Sequence, residues 1–171
     1  MTFTDLARAR FSVRKFDGRP VPKKKLNAIL EAGRVAPTAK NNQPQKVYVL
    51  QSREALEKIN GVCKCIYGAS TVLVVCYDSS LIWKNPIDEG VDSGRIDTSI
   101  VLTHMMLEAQ NQGVNSCWVC FFNAKEVSEA LNLPENIVPV SIMPLGFACE
   151  DVVPTPLHSQ IRPEEETVIR M

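Results

Sequence analysis

The stretch "STVLVVCYD", Ser70 to Asp78, constrains the fold more than any other part of the chain. Its apolar side chains run on without the polar alternation of a strand with one wet face. It therefore reads as a central strand covered on both sides. A second segment makes a matching demand. The helix-like run from Gly94 to Gln112, "RIDTSIVLTHMMLEAQNQ" after its glycine, carries Ile96, Ile100, Leu102, Met105, Met106, Leu107 and Ala109. These cover so much of its circumference that two faces must be buried. A sheet enclosed between helical layers meets both demands.

The other elements fall around these two. "TFTDLARARF" begins as a short helix that should end near Arg10, and "RFSVRKFDG" is extended up to a turn at Asp17-Gly18. "VPKKKLNAILEAGRVAP" is an amphipathic helix with Pro22 in its first turn, Leu26, Ile29, Leu30 and Gly33 on one face, and Pro37 as its stop. Lys46 to Leu50 is a strand, "REALEKIN" a helix capped by Ser52, and Ser79 to Arg95 a polar loop carrying Trp83 and Pro86. Beyond the long helix, Gly113 is a terminator and "SCWVCFF" a strand. A helix then opens at Asn123 with Glu126 at capping-box spacing, and "VPVSIMPLGFA" is a last strand. The segment Cys149 to Met171 is polar and punctuated by proline. The order predicts an α+β or α/β fold in one domain, residues 1–171.

Charge removes several functions. Lys+Arg and Asp+Glu both number 19, so no global basic field exists to hold nucleic acid or an anionic membrane. No apolar run approaches the roughly 20 residues that span a bilayer, and "MTFTDLARAR" lacks a secretory signal's apolar stretch, so the expected setting is the cytoplasm. With only His104 and His158, a histidine metal site is nearly excluded, and His104 is expected to be a core histidine. Cys117 and Cys120 form a C-x-x-C, but on a strand they point to opposite faces. Cys63 and Cys65 lack partner ligands, so buried structural thiols are the expectation and no metal site is predicted. There is no G-x-G-x-x-G, P-loop or G-x-S-x-G, and no side chain stands out as catalytic. Enzymatic activity would have to come from a cofactor.

Two stretches remain. In "RFSVRKF", Arg10, Ser12 and Arg14 alternate, so an extended backbone presents them together. Two guanidiniums and a hydroxyl suit a phosphate dianion, although a solvated basic edge strand has the same composition. In "APTAKNNQPQ", Ala36 to Gln45, prolines hold a row of neutral amides that could read the edge of a flat heterocycle or simply cap a polar loop.

Together the two stretches resemble the start of the nitroreductase family of FMN-dependent oxidoreductases, whose pattern is R-x-S-x-R/K, a helix, then A-P-S-x-x-N-x-Q-P-W. The likeness continues through "DTSIVLTHMMLEAQNQGVNSCWVCFFN", "PVSIMPLGFACED" and "IRPEEETVIRM", with one weak stretch from Cys63 to Arg95. Its specificity lies in the ordered set. The resemblance implies a mostly antiparallel sheet wrapped by helices, in a homodimer with FMN at the interface and the C-terminal tail on the partner. It places Arg10, Ser12 and Arg14, with Phe11 between them, at the FMN phosphate, ribityl chain and pyrimidine edge. Pro37, Thr38, Ala39 and Asn41, with Gln43 in the same motif, match a loop reaching the other subunit's flavin. Pro144, Leu145 and Gly146 match a turn passing the isoalloxazine, where glycine would allow close approach. Arg162 matches a basic residue that meets the phosphate. The implied activity is ping-pong electron transfer from NADH or NADPH, through flavin N5, to a nitro compound, quinone or related acceptor. A low-turnover protein that holds or delivers flavin is the alternative on the same fold, and a thiol or metal redox protein using Cys63, Cys65, Cys117 and Cys120 the alternative from another class. Gln45 stands where the family has an aromatic residue, and Trp83 is a candidate substrate neighbour.

Overall fold

In the computed structural model, which describes residues 1–171, every residue from Val72 to Cys76 is fully buried. They belong to β2 (Thr71–Asp78), which lies between β1 (Gln45–Leu50) and β4 (Ile137–Gly146), with β3 (Asn115–Ser116) beyond β4. All strand pairs are antiparallel. The helices are α1 (Phe3–Ala9), α2 (Lys23–Arg34), α3 (Arg53–Val62), α4 (Gly94–Asn111), α5 (Ala124–Leu131) and α6 (Glu164–Thr167). The fold is thus mixed, with an antiparallel sheet wrapped by helices.

Strand alternation divides β2 between two cores. Val72, Val74 and Cys76 pack with Val13, Ile59 and Val127, while Leu73 and Val75 pack with Ile29, Leu102 and Met105. The first core lies under α3 and α5, the second under α2 and α4. α2 and α4 pack closely at Gly33, where a Cβ would sit 2.7 Å from Met105 Cγ. Ser52 caps α3 by accepting from Ala55 N at 3.2 Å, and Asn123 caps α5 by accepting from Lys125 N at 3.0 Å.

Three expectations are corrected. α4 has only one face covered by this chain: Ile96 is 58% exposed, and Ile100 and Leu107 along the same stripe are half-buried. The strand expected over "SCWVCFF" shortens to Asn115–Ser116, with an isolated bridge at Val119–Ile142 in the same register. The break falls opposite Pro144, which accepts from Cys117 N at 3.3 Å but has no N–H to return. His104 is exposed rather than in the core, its Nδ1 donating to Ile100 O at 2.9 Å, because it lies off the stripe of α4 that meets α2 and the sheet. No helix is long and apolar enough to cross a membrane.

Candidate flavin site

α1 is closed by a capping box between Thr2 and Asp5 and ends at Arg10, where the backbone turns extended. Residues 10–14 then run parallel to β3, with Val13 N donating to Ser116 O at 3.0 Å. Val13 plugs the core on the inward side. Arg10, Phe11, Ser12 and Arg14 line a polar cavity of about 290 Å³, closed on its other side by Thr155, Leu157 and His158. Arg10 and Arg14, like Arg8 and Arg95, have no carboxylate partner, whereas Arg19, Arg34, Arg53, Arg162 and Arg170 each do. Two unneutralised guanidiniums in a concavity have the donor chemistry that suits an anion. The donor set fits the phosphate end of FMN.

Residues 37–43 form a separate feature. Lys40, Asn41 and Gln43 all adopt positive φ, at 52°, 55° and 51°, without being glycine. Each such residue costs on the order of 1 kcal/mol and persists only when its surroundings hold it. The holding contacts are Gln43 N to Thr38 Oγ1 (3.0 Å), Asn42 Nδ2 to Leu81 O (3.0 Å) and Ala39 N to Asp97 Oδ1 (2.9 Å). The Gln43 amide also donates to Asn41 O at 3.3 Å. Two of the three amides are therefore engaged in shaping the loop. The Asn41 side chain makes no hydrogen bond within the chain. Pro37 is exposed, and Thr38 and Ala39 are half-buried.

The cavity that Arg10 lines includes no residue of the 37–43 loop. Pro144, Leu145 and Gly146 are buried in β4 beside β3, one strand in from residues 10–14. The space at Gly146 is claimed by Phe16, whose ring carbon Cδ1 would lie 2.9 Å from an added Cβ, so internal packing accounts for that glycine. Arg162 lies on the exposed tail, 3.6 Å from Glu166, and does not line the Arg10 cavity. Trp83 is half-buried, its N–H donating to Ser93 Oγ at 3.1 Å where the 79–93 loop closes on itself.

Cys63, Cys76 and Cys117 are buried as small apolar groups, but the expectation of buried thiols fails for Cys120, which is exposed, and for Cys65, which is half-buried. All six are free, burial pushes the Cys76 thiol up to about 12, and burial also raises Cys63 and Cys117, the latter against the pull of Arg14. Cys117 is buried and Cys120 exposed, on opposite sides as strand alternation requires. No group of three or more His, Cys, Asp or Glu is arranged to hold a metal ion.

A model of the Nitroreductase family matches residues 7–67 and 63–147. The chain belongs to that family. The two matched segments meet at the start of the stretch where the likeness is weakest. A nitroreductase family protein from Clostridium difficile 630 is 37% identical in sequence and superposes with a TM-score of 0.92, over 99% of this chain and 98% of that one. An Archaeoglobus fulgidus protein provisionally named NADH dehydrogenase/NAD(P)H nitroreductase is 32% identical over 145 residues, 81% of this chain and 80% of its own length. A Bacillus subtilis protein named FMN reductase [NAD(P)H] is 27% identical over 156 residues, 81% of this chain and 63% of its own.

In this nitroreductase-family chain, the anion cavity also contains residues that sequence reasoning passed over. His158 reaches back so that its Nε2 donates to Arg8 O at 3.0 Å, and its ring lies 6.1 Å from Phe11. Thr155 and Leu157 complete the wall. A lone histidine in a polar, proline-rich tail carries no signal of this placement.

Proposed function

We propose that residues 1–171 form one FMN-binding domain that passes electrons from a nicotinamide donor to a nitro compound, quinone or related acceptor, alternating donor and acceptor at one site. The enzyme is an NAD(P)H-dependent flavin oxidoreductase with FMN as its cofactor. The observation that carries the assignment is the pair of unpaired guanidiniums, Arg10 and Arg14, facing one polar cavity. Bound FMN supplies the exchange of an electron pair between nicotinamide and acceptor. The chain's own part is binding and orientation. Arg10 and Ser12 hold the phosphate end, Phe11 and Leu157 shield it, and Arg14 offers positive charge where reduced flavin gathers negative charge.

The functional unit is a homodimer, and three features support it. The outer stripe of α4 exposes Ile96, the tail exposes Ile161 and Ile169, and the 37–43 loop is shaped yet shares no cavity with Arg10. A second copy would cover the apolar residues and bring that loop, with Asn41 free, to the flavin held by the first. In this reading Arg162 reaches the phosphate across the same interface. Six free thiols accord with a reducing cytoplasm.

The test is the visible spectrum of the purified protein, with release of the chromophore by heat, followed by NADH or NADPH oxidation with menadione and a nitroarene as acceptors. A stoichiometric FMN spectrum and parallel double-reciprocal plots are expected. Arg10→Ala and Arg14→Ala should each weaken FMN binding by about 10- to 100-fold, the worth of a charge-assisted hydrogen bond. A colourless protein that takes up no added FMN would overturn the reading.

A further inference from the structure

Asp97 is the only acidic side chain of α4 that is buried, at 2% exposure, in the helix's first turn. One carboxylate oxygen, Oδ1, accepts the Ala39 N–H at 2.9 Å, across 58 residues of sequence. The other, Oδ2, is buried without a partner. A side chain kept for stability alone would be expected to satisfy both oxygens, since a buried orphan acceptor is destabilising. The bond it does make falls at the entrance to the three positive-φ residues, on the residue before Lys40. The second buried orphan, Gln45 Oε1, closes the same loop. Gln45 lies on the sheet face shared with Val47 and Val75, the face that α4 covers.

We propose that Asp97 is a positioning residue for the flavin-contacting loop. By holding the Ala39 N–H from the rigid end of α4, it fixes the left-handed turn at Lys40 and Asn41 and thereby aims the free Asn41 amide. Thr38 Oγ1 and Leu81 O hold the far side of the loop, and Asp97 is the tie on the side that leads in from Pro37. The assignment rests on the flavin reading only for what the loop touches. The anchoring itself belongs to the chain alone.

The unpartnered Oδ2 makes the geometry testable. Asn at this position can turn its oxygen to Ala39 and place its NH₂ on the vacant side, so Asp97→Asn should retain the anchor while Asp97→Ala loses it. Amide exchange of residues 38–43 in flavin-free protein reads the anchor directly. Ala39 should exchange at least about tenfold faster in D97A and near the wild-type rate in D97N. With FMN present, D97A should weaken flavin binding about tenfold, with D97N restored to near wild type. Unchanged exchange at Ala39 in D97A would overturn the proposal, and so would failure of D97N to rescue. If exchange rises in D97A while FMN affinity holds, the anchor stands and the loop's role at the flavin falls. Wild-type protein that binds no FMN would instead defeat the functional reading, leaving the exchange result to decide the anchor. Circular dichroism of D97A checks that the sheet and helices are intact.

Discussion

β2 and the C-terminal tail treat their apolar side chains in opposite ways. Val72 to Cys76 are completely buried between two helical layers, whereas Leu157 is 73% exposed, Ile161 81% and Ile169 75%. Both regions carry branched aliphatic residues, and only one finds cover inside the chain. Burial stabilises by roughly 25 cal/mol per Å² of apolar surface, so the tail's apolar groups contribute little to folding of the single chain. The outer stripe of α4 belongs with the tail in this respect, since Ile96 is exposed on a helix whose inner face is packed through Met105.

The comparison is broken most easily from the core side. Leu73→Ala removes a fully buried side chain from the centre of the sheet and should cost about 2–5 kcal/mol in urea unfolding. Ile161→Ala should leave the unfolding free energy of dilute monomer almost unchanged and raise the dimer dissociation constant in sedimentation; a large loss of monomer stability would mean that the tail belongs to the core after all. Gly146→Ala tests close packing, because the added Cβ must displace the Phe16 ring. A loss of about 1–3 kcal/mol is expected, and a silent substitution would show that Phe16 can move freely. The smallest effect is expected at the one ion pair tying the start of the tail to the body, Lys15–Asp151 at 2.6 Å, with both partners exposed. Hydrogen bonding to Lys15 lowers the Asp151 carboxyl below its ordinary 3.8, and the Asp151 partner raises Lys15 above its ordinary 10.5. The pair's contribution is therefore present between those two values. It is lost as pH falls through the depressed carboxyl pKa or rises through the raised amine pKa. Asp151→Asn should flatten that weak dependence and shift the urea midpoint barely measurably.

How much of the site could be read in advance differs between its parts. Arg10, Ser12 and Arg14 were legible because an extended segment has period two, and the cavity they line has that arrangement. Phe11 also lines it, which alternation alone would have excluded. The amide loop was legible as a pinned, polar turn, but not which amides are free. Asn42 engages Leu81 O, a contact that depends on where the 79–93 loop passes, and Gln43 engages Asn41 O within its own turn. Gly146 looked like a glycine waiting for a ring, and the ring it admits is the protein's own Phe16. Asp97 carries no signal in the sequence beyond the general preference for negative charge in a helix's first turn. Only tertiary packing buries it against the Ala39 N–H.

What the sequence by itself determined was local and periodic: a strand buried on both faces, a helix apolar on more than one side, the capping residues Ser52 and Asn123, and the paired cations after α1. These depend on neighbours a few residues away, whose geometry the backbone dictates. The tertiary structure alone decided which face of α4 is covered, where β3 breaks, that His158 walls the anion cavity, and that Ala39 is held by Asp97. Each of those is a contact between segments far apart in the chain. Such contacts are selected by how two surfaces fit, and that fit is written in no single stretch of residues.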